Sequence, residues 1–374
     1  MKATTRLAFA ALAASAALAG AVGAAPALAD QASRAVFVQT DGLAGNEVIA
    51  YERGAAGALT EAGASPTGGL GGQLEGSQVD HLASQGSLAY DPADGLLYAV
   101  NAGSDTVSVF AVIGDHLALH QVIPSGGSFP VSVAVHAGVV YVLNALEGGE
   151  LQGFTAAGGR LSPLAGSSRA LGLEAGATPQ FTHTPGQVAF TPSGSQLLVT
   201  TKANGEDVDV FAVEGGGLLS SSPTVNALPG TVPFAIDFDQ QQHLVLAEAA
   251  GFVASFQLRA DGEIEQLDSV ATDQAATCWI TDARGRFYVS NAGSNSLSAF
   301  QPSAHGQLLT ALGDTPTDAG TVDAAASTNG RYLYVQTGAE GIVDEFAVAS
   351  DGSLGELGTV TVPGALGGEG IVAG

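Results

Sequence analysis

Cysteine is nearly missing from this sequence. With one thiol, Cys278, in 374 residues, no internal disulfide can form, and the fold must be held by a packed core. No histidine lies near the stretch "AATCWITD" to activate that thiol, which reads as a small buried hydrophobe rather than a nucleophile. Positive charge is also scarce: 11 Lys and Arg stand against 36 Asp and Glu, for a formal net charge of −25. Without a basic cluster, so acidic a surface excludes nucleic acid and anionic lipid as partners and disfavours a phosphorylated substrate. Lysine occurs at positions 2 and 202 alone, and tryptophan once, as Trp279. Helical periodicity is lacking after the first thirty residues. No apolar run beyond them is long enough to span a bilayer, so no stable membrane insertion is expected.

Signatures of cofactor chemistry are missing as well. There is no G-x-S-x-G, Walker or dinucleotide fingerprint. The seven histidines, at 81, 116, 120, 136, 183, 243 and 305, show no ligand spacing. His116 and His120 are four apart, but in a predicted strand and turn rather than on one face of a helix. The acidic loops "DPADG" (91–95) and "NGEDVD" (204–209) read as hairpin turns, not calcium loops. No metal and no cofactor are therefore expected.

What the chain does have begins with "MKATTRLAFAALAASAALAGAVGAAPALAD": Lys2 and Arg6, a long Ala/Leu run broken by Ser15, Gly20 and Gly23, and Ala27-Leu28-Ala29 before Asp30. That pattern reads as a secretory signal peptide over 1–29, cleaved near Ala29. The expectation is a secreted or extracytoplasmic protein, in a periplasm or at a cell surface, with one domain over 30–374.

The domain repeats a phrase. "LYAVNAGSDTVSVF" (97–110) returns as "FYVSNAGSNSLSAF" (287–300), and the residue that ends each such strand recurs at Thr40, Asn101, Asn144, Thr201, Glu248, Asn291 and Thr337. Most steps between these positions are in the forties, and two are longer, which marks a repeating unit with two loop insertions. Each unit reads as an apolar strand, a turn, the phrase, a short loop, an alternating strand, a Gly-containing turn and a weaker last strand. Seven units of four antiparallel strands predict an all-β fold, a seven-bladed β-propeller. The first unit has only three strands, starting at "AVFVQT", while the chain ends in an orphan apolar strand, "GEGIVAG". The C-terminal strand is expected to complete the first blade and close the ring, leaving no free edge. Residues 64–86, rich in glycine, read as a long loop between the first two blades.

In a propeller the turn after each second strand and the start of each first strand open on one face around the channel. Asn101, Asn144, Lys202, Glu248 and Asn291 are placed there, with Gln187, Phe234, Trp279 and Asp323 near the starts of inner strands. A turn asparagine commonly satisfies backbone groups, and a lone tryptophan commonly fills a core. Lys202 and Glu248 stand out because both are polar and unlike their counterparts in other units; from neighbouring blades they would form an ion pair or a polar binding site.

The whole chain from residue 30 resembles the seven-bladed lactonase family of 6-phosphogluconolactonases and carboxymuconate cyclase-like enzymes, and within it the secreted bacterial members. The resemblance is carried by "SQGSLAYDPADGLLYAVNAGSDTVSVFAV", "PVSVAVHAGVVYVLN", "PGQVAFTPSGSQLLVTTK" and "GRYLYVQTGAEGIVDEFAVASDGSLGELG". It implies a lactone hydrolase with a P-H-x-H stretch entering one inner strand, an Arg-His pair entering another, and Glu and Arg at the mouth. Here those stretches read Phe129-Pro130-Val131-Ser132 and Pro185-Gly186-Gln187-Val188, Lys202 stands where the glutamate would fall, and Ala292 where an arginine would. Ring opening needs a base and oxyanion donors. The expectation is Glu248 as base, Lys202 as oxyanion partner, and Asn144, Asn291 or Gln187 as orienting donors, acting on a neutral sugar lactone rather than a phosphorylated one. The alternative is a non-catalytic propeller that binds a small ligand or an extracellular protein partner.

Overall fold

The computed structural model describes Met1 and residues 34–303 and 309–374. Apart from Met1, the leader expected over 1–29 lies outside the described residues, as does His305. Seven antiparallel sheets follow one another along the chain, each with its four main strands hydrogen-bonded in order. Blade 1 comprises Ala35–Gln39, Glu47–Arg53 and Leu59–Pro66, and its innermost strand is the C-terminal Ile371–Ala373. Val36, Phe37 and Val38 pair with Ala373, Val372 and Ile371, so the ring is closed by the strand that the sequence leaves unpartnered. Blades 2 to 7 occupy residues 88–124, 130–170, 187–227, 233–271, 277–316 and 321–361. Blade 3 carries a fifth short strand, Arg169–Ala170. Among the described residues no helix is long and apolar enough to cross a membrane.

The burial gradient follows from stacking sheets face to face. A second strand such as Leu96–Asn101 or Tyr332–Thr337 is buried at every residue, because neighbouring blades cover both of its faces. Such strands read as continuous apolar runs, and each buried large apolar side chain contributes roughly 1.5–3 kcal/mol. Outer strands such as Leu354–Thr361 mix exposed and half-buried residues, in keeping with their weak sequence signal.

The tyrosine of the repeated phrase has a structural reason. Tyr141, Tyr288 and Tyr334 occupy the same place in blades 3, 6 and 7, and each donates its hydroxyl to a backbone carbonyl in the outer turn of the next blade. The acceptors are Gly217 O at 2.8 Å, Gly352 O at 2.8 Å and Gly57 O at 2.6 Å. Tyr98 fills the same place in blade 2, fully buried, but its hydroxyl has no partner among the described residues.

Two details differ from the sequence reading. Residues 64–66 finish the strand Leu59–Pro66, so the long loop starts three residues later. Two single helical turns, Gln180–His183 and Lys202–Gly205, are too short to leave a period in the sequence.

Replacing Tyr288 or Tyr334 with Phe should cost about 1 kcal/mol of stability, because a buried carbonyl loses its donor. Tyr98→Phe should be neutral or stabilising. Chemical denaturation midpoints of the three variants test this, and equal losses at all three positions would refute the blade-to-blade tie.

Candidate functional site

The connection between blades 1 and 2 does not stay on the surface. Residues 67–87 turn back into the ring and plug its centre, touching blades on several sides. Ser84 Oγ donates to Val131 O of blade 3 at 2.9 Å, and Gln85 N donates to Gly186 O at the start of blade 4 at 3.1 Å. The Gln85 side chain pairs with both backbone groups of Ile280 in blade 6, and Trp279 Nε1 donates to Ser84 O at 2.6 Å. Gly86 N donates to Glu369 Oε1 at 3.0 Å beside the closing strand. Gly338 of blade 7 is glycine because Val79 O lies 1.6 Å from where a Cβ would stand. A loop this long inside a compact domain is commonly functional.

Between the plug and blades 4, 5 and 6 lies a cavity of about 500 Å³, within the usual range for small-molecule sites. Its buried floor carries Asp80, Ala83, Lys202, Phe234, Cys278 and Trp279, and its rim includes the exposed Gln78 and Ala250 and the half-buried Phe181 and Val232. Phe234 and Trp279 meet edge to face with ring centroids 4.9 Å apart.

Lys202 is 1% exposed, and all three of its ammonium hydrogens are engaged. They reach Ala83 O at 2.6 Å, Phe181 O at 2.8 Å and Thr184 Oγ1 at 3.1 Å, while the Phe234 ring lies 5.4 Å from Nζ. Burial brings its pKa down to about 7, against the pull of Asp80. Lys202 also sits at φ +53°, a left-handed conformation uncommon for a side-chain residue. The same backbone turn places the ammonium between plug and blade.

Asp80 is the acidic group at this wall. Its Oδ1 accepts Leu82 N at 2.7 Å and its Oδ2 accepts Ser84 N at 2.9 Å. Burial pushes its pKa up to about 6, with those bonds and the Lys202 charge restraining the rise. Cys278 is buried, and burial pushes its thiol up to about 12, which keeps it protonated. Asp80 was missed in the sequence because a lone acid in a Gly-rich loop carries no motif; the loop's length was its signal.

Glu248 and Lys202 do not meet. The aligned residues Thr201, Glu248 and Asn291 hold a first place beside the third strand of their blades, and the residue after each holds a second place outside the strands. Lys202, Ala249 and Ala292 hold that second place and line the cavity, whereas Glu248 holds the first and does not. In blade 6, Asn291 at that first place donates to Ser296 Oγ at 3.2 Å and Ser298 Oγ at 2.9 Å. Asn101 does the same with Thr106 and Ser108. Blade 5 puts Phe252 and Ala254 in register there. The Glu248 carboxyl therefore makes no hydrogen bond among the described residues, and burial pushes its pKa up to about 7.

Of the other predicted site residues, Phe234 and Trp279 line the cavity and the rest join parts of the ring. Asn144 donates to Glu150 O at 3.4 Å, and Gln187 Oε1 accepts Ile236 N from blade 5 at 2.5 Å. Asp323 Oδ2 accepts Ile371 N at 3.3 Å, which holds the closing strand. Asp323 belongs to a buried acidic group with Asp41, Asp80 and Glu369. Desolvation raises Asp41 and Asp323 to about 7, and desolvation with three acidic neighbours raises Glu369 well above the ordinary glutamate range. Among the described residues no group of three or more His, Cys, Asp or Glu side chains is arranged to hold a metal.

The fold is that of a seven-bladed propeller with a plugged channel and a cavity at one side of its mouth. Residues 50–366 match the family described as lactonase, 7-bladed beta-propeller, and the chain belongs to that family. Among solved structures it is similar to the periplasmic gluconolactonase of Pseudomonas aeruginosa, with 17% identity, a TM-score of 0.70, and 90% of this chain and 98% of that one covered. A Lactobacillus plantarum protein matches at 22% identity and a TM-score of 0.73, with the same coverage of both chains. So does a Bacteroides uniformis protein provisionally assigned as a 6-phosphogluconolactonase, at 18% and 0.72. At these identities the likeness is one of fold. No curated protein matches the sequence.

The buried acids bind protons more tightly folded than unfolded, so their contribution is greatest in acid and is lost as pH rises through about 7. Lys202, with its pKa lowered from 10.5 to about 7, has the opposite sign, and its contribution rises with pH only above about 7. The thermal midpoint should fall between pH 5 and about pH 7. Asp41→Asn should lower the midpoint at pH 5 yet flatten the slope; an unchanged slope would remove Asp41 from the cause.

Proposed function

We propose that the protein is exported and hydrolyses an uncharged lactone in the mouth cavity, with Asp80 as the general base and Lys202 as the electrostatic partner of the oxyanion. One observation carries this reading: a carboxyl and an ammonium, both desolvated and each perturbing the other, lie on the wall of one cavity of about 500 Å³. Family membership supports lactone chemistry. Export rests on the leader-like first 29 residues. The preference for a neutral over a phosphorylated lactone, a sugar lactone by the sequence reading, rests on the net charge of −25 and on Lys202 being the cation at the cavity, with its hydrogens already engaged.

In this mechanism Asp80 takes a proton from water as the water oxygen attacks the lactone carbonyl carbon. The carbonyl electron pair moves onto oxygen beside Lys202. Collapse breaks the ring C–O bond, and the proton held by Asp80 passes to the leaving ring oxygen, giving a hydroxy acid. An ammonium in a dry site is pre-oriented for such charge and needs no reorganisation.

A second reading, binding without turnover, has its own support. The three Lys202 hydrogens and both Asp80 oxygens are used in holding the plug, as a purely structural pair would be.

Against a panel of uncharged lactones, Asp80→Asn should lower kcat by roughly 10²–10⁴-fold. Lys202→Gln should lower it by about 10²–10³-fold, with circular dichroism confirming the fold, and Glu248→Gln should leave it unchanged. Turnover needs Asp80 ionised and Lys202 protonated, so kcat/KM should rise through about pH 6 and fall above about pH 7. Wild-type turnover that survives both substitutions would overturn the assignment; no turnover of any lactone would leave the binding reading.

A further inference from the structure

We infer that the ligand of this cavity is a lactone carrying a hydrophobic substituent, alkyl or aryl, rather than a polyhydroxylated sugar lactone. The inference takes the cavity to be the working site, as proposed above, and adds what the walls accept. Away from Asp80 and Lys202 the surface is made largely by Val79, Phe181, Val232, Phe234, Cys278 and Trp279, with several alanines. A sugar lactone brings several hydroxyls, each of which leaves water and needs a new partner.

The wall has few partners to give, because its polar side chains are bound within the protein. Ser77 Oγ donates to Asp80 O, Thr182 Oγ1 to Pro179 O at 3.2 Å, and Trp279 Nε1 to Ser84 O at 2.6 Å. Gln78 Nε2 turns to the backbone oxygens of Gly76 and Ser77. Hydroxyls placed against Phe181 or Val232 would go unmatched, whereas an alkyl chain or aromatic ring there replaces water at no polar cost. The polar pair on the buried floor and the apolar walls above it set an orientation. The ester carbonyl points to Asp80 and Lys202, and the substituent lies along Phe234 and Val232 toward the rim.

Trp279, the one tryptophan of the chain, lies on this wall and supplies the reporter. Its emission is followed while full-length Asp80→Asn protein, which holds ligand without consuming it, is titrated with γ-undecalactone, δ-decalactone or glucono-δ-lactone. The expected result is a saturating change with the two alkyl lactones at concentrations roughly tenfold or more below any response to the sugar lactone. Val232→Gln, a substitution at the half-buried rim, should weaken the alkyl lactones and leave the sugar lactone unaffected. Alkyl lactones that bind while the wild type turns none over would support the ligand class and refute the hydrolytic reading alone. Glucono-δ-lactone binding as tightly as the alkyl lactones, or no emission change with a folded protein, would overturn the inference.

Discussion

Everything in this molecule depends on how one sheet lies against the next. A four-stranded blade cannot bury both faces of its central strands by itself, so each takes its covering from two neighbours, and the ring stands or falls as a whole. The buried tyrosines of blades 3, 6 and 7 show how that covering is given an angle as well as an area. A ring packed in the sheet interface is free to slide, but a hydroxyl bonded to one carbonyl of the adjoining outer turn sets the stagger between blades. The packing supplies most of the energy; the tie supplies register.

The same need for covering explains the plug. Seven blades leave a central space lined by the starts of inner strands, whose backbone groups need partners. Residues 67–87 supply them with Ser84, Gln85 and Gly86, and bring Asp80 and Lys202 out of water together. The cavity is thus a by-product of an imperfect seal: the loop meets blades 3, 6 and 7 closely and stands off from the mouth beside blade 5.

The architecture was plainly legible in the sequence, because seven copies of one strand-turn-strand phrase allow few other folds and the missing first strand of blade 1 matched the surplus one at the end. The site was less so. Lys202 and Glu248 were grouped as exceptions to the same repeat, yet they are one place apart in it: Glu248 ends a strand, whereas Lys202 opens a helical turn. Counting the aligned places alone could have separated them. Asp80 was hidden for a different reason: its position depends on where a long loop settles, and nothing local in "SQVDHLASQG" records the blades it will meet. Asn101 and Asn291 turned out to be corner braces between second and third strands, a role that the Ser and Thr residues at the first and third positions of the next strand help to explain.

The closing strand has a kinetic side. Ile371–Ala373 fills the edge of a blade whose other strands lie some three hundred residues earlier, and the loop that plugs the channel follows blade 1 but rests on blades 3, 4 and 6 and on the lead into that last strand. Neither can settle until nearly the whole polypeptide is present. Contacts so distant along the chain slow folding, because loop closure must precede any gain. The molecule therefore remains an unclosed string of blades for most of its synthesis and becomes a ring only at the end.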